Sequence, residues 1–415
     1  MFLLIPVVNG VSSLLALPAV TAAHGAAGWA AIAIGFATGA GAAILVEAGW
    51  GVDGPMHVAR AGTRARKLYY AWSARLRLAV FGPSALLAGL VAWLVSTEYK
   101  FEAGVMAVAV AAVGLSPAWY FTGTGQPGWV LFTDGAPRLV ATGASVVGLL
   151  AGAPLAVYPL LLGAGNLATL WLGARFAGLG PMLRPRLGRQ RALRLAIIQG
   201  TALRGRIGSG LFKALPVTLV GIVAPGSVPV FAAAERLQKM ALQFLNSVSL
   251  FLTSWVGEAR TRELRIARAN KAILVSGGVG LAAAIAFAAL GPAVSHIIFQ
   301  GAATVPAALG ATAAVVVLLA TISRSLVIKL IVLRRVATYS NAANVGGVVG
   351  AGAILWLGHV AGSLGAMIGE IVAECATLAY QMLGLRRYGS PRGDGAQPRL
   401  GSALETSQPP DEVNP

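Results

Sequence analysis

A single cysteine, Cys375, stands in a chain of 415 residues, and it lies inside an apolar run. That excludes a disulfide framework and any cysteine-based metal site. The four histidines, His24, His57, His296 and His359, are scattered without metal-ligand spacing. Charge is scarce too: 11% of residues are charged, against roughly 25% in an ordinary soluble domain. There is no Gly-x-x-x-x-Gly-Lys phosphate loop, no nucleophile elbow and no His-Glu-x-x-His. The stretch GTGQPG at 123–128 is glycine-rich but follows no strand. Nothing points to an enzyme, a cofactor or a metal. Any pumping is expected to run on gradients or substrate flux rather than on ATP.

What the chain has in abundance is apolar length. Hydrophobic residues make up 57% of it, and the mean hydropathy is +0.75. Runs of about 20 apolar residues are what a bilayer core asks of a helix. The short alternating segments of a transmembrane barrel are absent. The apolar start, 2–23, lacks the basic residues that precede a cleaved signal, so it reads as a retained first helix. Twelve spans are expected, at 2–23, 28–49, 76–95, 103–121, 136–152, 155–176, 207–223, 228–256, 272–290, 307–333, 342–359 and 363–385. The fold class is thus all-α and integral to the membrane.

The formal net charge of +18 does not signal nucleic acid, because of where it falls. Arg60, Arg64, Arg66, Lys67, Arg75 and Arg77 follow span 2, and Arg138 follows span 4. A run from Arg175 to Arg206 follows span 6, and Arg260 to Lys271 follow span 8. Arg334 and Arg335 follow span 10, and Arg386 to Arg399 follow span 12. The other loops hold one basic residue, Lys100. This alternation places the basic loops and both termini in the cytoplasm, with the chain in the cell membrane. The longest loop divides the chain into a lobe at 1–176, a basic linker at 177–206, a second lobe at 207–388 and a disordered tail at 389–415. The 53 glycines suit close helix packing in lipid.

Polar groups inside spans mark function or pairing. Span 8 carries Glu235, Lys239, Gln243, Asn246, Ser249 and Thr253 on one helical face, with Arg236 beside it. This stripe is expected to line a hydrated cavity, with Glu235 and Lys239 paired at i, i+4. Span 12 shows a second stripe, Glu370, Glu374, Thr377 and Gln381. Span 10 adds Thr321, Arg324 and Ser325, with Lys329 snorkelling to the interface. Arg324 and Glu374 lie at similar depth and are expected to form an ion pair. Lys213 could snorkel or line a mouth. Asn9, Ser12, Ser13 and Asn166 read as packing contacts.

Several stretches resemble the polysaccharide (Wzx-like) flippases of the multidrug/oligosaccharidyl-lipid/polysaccharide (MOP) exporter superfamily. LPAVTAAHGAAGWAAIAIG (17–35) with VEAGWGVDGPMHVARA (46–61) looks like the family's opening pair of spans. SPAWYFTGTGQPGWVLFTDGAPRLVAT (116–142) is similar to its P-x-W-x-x-x-G element and following arginine, filled here by Pro117, Trp119, Gly123 and Arg138. VPVFAAAERLQKMALQFLNSVSLFL (228–252) resembles its Y-x-x-A-x-K/R-L helix through Phe231, Ala234, Arg236 and Leu237. GSLGAMIGEIVAECATLAY (362–380) resembles the closing helix, with Glu374 at the acidic position. The resemblance implies two six-helix lobes in a MATE-like fold that turn a lipid-linked oligosaccharide, carried on an isoprenoid pyrophosphate, across the membrane by alternating access.

Its partners would be that substrate, membrane lipids and glycan-assembly proteins. The substrate-binding candidates are Arg236, Lys239, Gln243, Asn246 and Arg324, and Glu235, Glu370 and Glu374 are the ion-pair or coupling candidates. Spans 1 to 6 are expected to hold almost no buried cation, leaving the second lobe to supply the charge. The alternative is a multidrug or metabolite exporter of the same superfamily, although span 1 lacks the carboxylate that cation antiporters often place in the first lobe. Lipid II flippases usually carry two further spans. A membrane-bound glycan polymerase or ligase would need large outer loops with paired acids or histidines, which the sequence lacks.

Overall fold

The computed structural model describes residues 4–178, 210 and 212–386, and their side chains except those of 4–14, 52 and 336. The expected linker at 177–206 lies almost wholly outside the described residues. The tail at 389–415 and the side chains of Asn9, Ser12 and Ser13 lie outside them too. Within them the chain is helical, with no strand. The helices are α1 (Leu4–Glu47), α2 (Trp50–Arg60), α3 (Thr63–Val95), α4 (Lys100–Ala111), α5 (Ala118–Gly123), α6 (Pro127–Val130), α7 (Ala136–Leu150) and α8 (Val157–Phe176) in the first half. The second half has α9 (Pro216–Val223), α10 (Val228–Gly257), α11 (Arg262–Ile298), α12 (Ala307–Val332) and α13 (Val336–Arg386).

Seven helices among the described residues are long and apolar enough to cross a membrane, against twelve expected spans. The difference has identifiable sources. Helices α7 and α9 are short, and α10 carries Glu235, Arg236 and Lys239. Helices α1 and α13 run for 44 and 51 residues, each roughly twice what a bilayer needs. Each is broken near its middle by a glycine in the left-handed region, Gly25 at φ 62° and Gly362 at φ 58°. A side chain there would press on the backbone. The breaks divide α1 into 4–24 and 26–47, and α13 into 336–360 and 363–386.

Leu86, 73% exposed, with Leu87, Leu90 and Leu94 forms an outward apolar face on α3, and Leu274, Leu281 and Ile285 do the same on α11. Faces of that kind belong in lipid. The chain is a multi-pass membrane protein.

Small residues set the packing of the first half. A methyl group added at Gly35 or Gly39 would overlap the carbonyl oxygen of Ala103 or Ala107, so the second arm of α1 lies backbone to backbone on α4. Helix α3 covers this pair, and α7 and α8 pack alongside. In the second half α12 lies between α11 and α13. The halves meet chiefly through α1 against α9 and α10. One core cluster crosses that boundary, joining Val20, Trp29 and Leu155 to Val228, Phe231 and Phe299. The indole Nε1 of Trp29 donates to the carbonyl oxygen of Pro229 at 3.0 Å, and its ring stands 5.2 Å from that of Phe299.

Three expectations about the first half need correction. Arg77 was grouped with the loop charges that follow span 2, at the edge of the expected span 76–95. Instead α3 begins at Thr63, and Arg77 is 1% exposed inside the bundle. Its Nη1 donates to the carbonyl oxygens of Gly114 at 2.9 Å and Ser116 at 2.8 Å. These two groups flank the point where α4 tightens into a 3₁₀ turn (Ala112–Leu115) before Pro117. Pro117 has no N–H to give, and the buried guanidinium satisfies carbonyls the helix cannot.

The first half therefore does hold buried cations. Arg138 is a second, largely enclosed one. Its Nη2 donates to Asp134 Oδ1 and its Nε to Asn166 Oδ1, each at 2.9 Å, while Asn166 Nδ2 donates to Ala109 O at 2.9 Å. Asp134 sits in a π-helical turn (Leu131–Gly135) leading into α7, which widens the helix and turns its carboxylate toward Arg138. Asn166 is thus part of an ionic network rather than a plain packing contact.

Candidate functional site

Helix α10 separates two cavities. Its apolar start, Val228 to Ala234, is buried in the shared core, which fixes the rotation of the next two turns. At helical spacing, Glu235, Gln238, Lys239 and Leu242 then face the interior of the second half. Ala232, Glu235, Arg236 and Lys239 face the space between the halves.

The cavity between the halves has a volume of about 450 Å³. Its walls are mainly apolar: Leu17, Ile32, Ala33 and Phe36 from the first half, and Ala214 and Val217 from the second. Into this setting project Arg236, Lys239 and Lys213. The Arg236 guanidinium carbon lies 4.8 Å from the centre of the Phe36 ring, a cation–π contact across the boundary. Its Nε is buried with no hydrogen-bond partner among the described residues. A half-buried cation in an apolar wall, with a donor the described residues do not satisfy, suits an anion.

The second cavity, of about 370 Å³, lies within the second half. Helix α10 supplies Glu235, Gln238 and Lys239, α12 supplies Ser323 and Arg324, and α13 supplies Glu370, Glu374 and Gln381. The expected pair is present: Lys239 Nζ stands 2.7 Å from Glu235 Oε1. Gln238 Nε2 donates to Glu370 Oε2 at 2.8 Å, and Gln381 Nε2 to Ser323 Oγ at 3.2 Å. Lys213, Glu235 and Lys239 border both cavities.

The sequence-based candidates divide accordingly. Arg236, Lys239, Arg324, Glu235, Glu370 and Glu374 all border a cavity. Gln243 and Asn246 do not: both are exposed further along α10 and line neither. The expected ion pair between Arg324 and Glu374 is not made among the described residues. Both line the same cavity, but Arg324 Nη1 donates to the carbonyl oxygen of Leu242 at 2.8 Å. Gln238 escaped the sequence reading, although its i+3 position after Glu235 was a usable signal. Lys213, left open from the sequence, lines both mouths.

No protein-family model matches the chain, and no curated protein matches it. Solved structures do. An inward-facing multidrug resistance MATE family transporter of the MOP superfamily superposes with a TM-score of 0.68 over 96% of each chain, at 14% identity. The lipid II flippase MurJ, in an inward closed conformation, gives 0.63 over 92% of this chain and 87% of its own, at 11% identity. The fold is that of the MOP superfamily transporters. Within the MOP fold, the cavity at Arg236 lies between the two halves and the cavity at Glu370 lies inside one of them.

Proposed function

We propose that the protein is a flippase that turns a lipid-linked oligosaccharide, an isoprenoid pyrophosphate-linked glycan precursor, across the cytoplasmic membrane by alternating access. The observation that carries this reading is Arg236. It lines the apolar cavity between the halves, its Nε has no partner among the described residues, and Lys239 and Lys213 line the same cavity. Phosphate seeks such cations, and the apolar wall suits an isoprenyl chain. Arg324 supplies further positive charge from the adjoining cavity, and Glu235 holds Lys239 in place until an anion competes for it. The basic loops favour both termini in the cytoplasm, where the substrate would be loaded for cell-surface polysaccharide synthesis.

The fold shared with a lipid II flippase supports this reading, and the one shared with a multidrug transporter supports a second. An exporter of lipophilic anions would use the same cavity, whose walls include the rings of Trp29, Phe36 and Tyr158. Cationic drugs fit poorly beside Arg236 and Lys213.

The test is accumulation of the lipid-linked intermediate. Deletion is expected to trap it on the cytoplasmic face. Arg236→Ala with Lys239→Ala, at unchanged protein abundance, should lower flipping about tenfold or more through loss of charge-assisted contacts. Normal glycan export with altered drug resistance would replace the flippase reading with the exporter one.

A further inference from the structure

The first half reaches the cations of the apolar cavity through Phe36. Lys239 is tied to Glu235 on its own helix. Arg236 instead leaves α10 for α1, its guanidinium carbon lying 4.8 Å from the centre of the Phe36 ring. The face of a ring attracts a guanidinium but accepts no strong hydrogen bond, so the contact fixes the side chain without using up its N–H groups. The buried Nε accordingly has no partner among the described residues. A free arginine side chain has many rotamers, and ordering them on binding costs affinity. A ring that has already ordered the side chain lowers that cost.

The ring is itself well supported. Phe36 is half-buried and packs against the core cluster that crosses the boundary between the halves. Gly35 and Gly39, before and after it, let α1 lie against the carbonyl oxygens of Ala103 and Ala107 on α4, which leaves the backbone beneath the ring little room to shift. Trp29, Ile32 and Phe36 recur at helical spacing, and all three line the cavity. Trp29 is engaged with Pro229 and Phe299, whereas Phe36 meets the cation. For a plain apolar wall a leucine would serve as well. A ring face beside a guanidinium is what leucine lacks.

We propose that Phe36 is a positioning residue for phosphate binding: it holds Arg236 across the boundary with a donor unspent, so that the first half shares in gripping an anion carried by the second. The inference rests on the flippase reading and deepens it, because it makes head-group affinity depend on how the halves sit. A tilt that parts α1 from α10 withdraws the ring, and Arg236 then holds the phosphate less well.

The test uses the full chain in nanodiscs and two probes, a polyisoprenyl diphosphate and the corresponding polyisoprenol. Phe36→Leu, which keeps an apolar side chain, is expected to weaken the diphosphate about fivefold, as loss of a partly desolvated cation–π contact would, and to leave the alcohol unaffected. Phe36→Tyr keeps the ring and should bind both probes as the unmodified protein does. In an Arg236→Ala background, Phe36→Leu should have no further effect on the diphosphate. Equal weakening of both probes, or a loss that persists without Arg236, overturns the positioning role and leaves Phe36 a plain wall residue. So does an unchanged diphosphate affinity in Phe36→Leu. These outcomes leave the flippase reading intact. Failure of the unmodified protein to bind the diphosphate ends that reading, and the inference with it. Should Phe36→Leu not fold, Phe36→Met takes its place in each comparison.

Discussion

The guanidinium of Arg77 donates to the carbonyl oxygen of Gly114, 2.9 Å away, at the point where α4 tightens before Pro117. An arginine that composition places among loop charges is in fact the clasp of a broken helix. Removing it strands one buried and one partly buried carbonyl. Arg77→Ala is expected to lower stability by about 2 kcal/mol or more, read as a fall in the thermal unfolding midpoint in detergent. Arg77→Lys should recover only part of this, since one ammonium cannot copy the planar fork. An unchanged midpoint for Arg77→Ala would show that the carbonyls find other partners.

The network at Asp134, Arg138 and Asn166 should behave as a unit. Arg138→Ala leaves Asp134 without its counter-ion and Asn166 Oδ1 without a donor, so it should destabilise more than Asp134→Asn. Arg138→Ala and Asn166→Ala combined should cost less than the sum of the two, by about 0.5 kcal/mol or more, as expected for contacting residues. Strict additivity in unfolding measurements would count against a shared network.

Trp29→Phe keeps a ring against Phe299 but deletes the donor to Pro229. The bond joins residues 200 positions apart, one from each half. Its loss, about 0.5–1.5 kcal/mol, should shift the protein toward states separated at this end. Spin labels at the exposed Ala23 and Thr304, in a Cys375→Ala background, would report a larger long-distance population. Identical distance distributions would place the restraint elsewhere.

Glycine has unequal roles along α13. Gly362→Ala forces a side chain into positive φ and should cost about 1–2 kcal/mol. Gly352 lies mid-helix, and a Cβ there meets nothing within 4 Å. Gly352→Ala should therefore be neutral or stabilising by up to about 1 kcal/mol from helix propensity. Opposite signs in thermal unfolding are the expected outcome.

The sequence was most legible where one property settled the answer. The apolar range 228–256 became α10 at Val228–Gly257, and the expected i, i+4 pairing of Glu235 with Lys239 formed. It was less legible where two properties competed. The charge between the expected spans 28–49 and 76–95 suggested a loop, yet α3 starts at Thr63, because long basic side chains do not oppose helix formation. Along α10 the polar face continues to Gln243 and Asn246, but the cavity does not. Which turns of a helix border a cavity depends on where the neighbouring helices lie, and periodicity carries no record of that. Gln238 shows the converse, since its role comes from Glu370, 132 residues away.

The glycine contacts between α1 and α4 carry a mechanical consequence. Two helices seated this closely at Gly35 and Gly39, against the carbonyls of Ala103 and Ala107 and the Cβ atoms of Met106 and Val110, have little side-chain layer to shear. They must tilt together, as a stiff lever. Trp29 stands at one end of that lever and Ile44, on the wall of the apolar cavity, stands near the other. A tilt of the pair at the indole is expected to carry the wall at Ile44 with it.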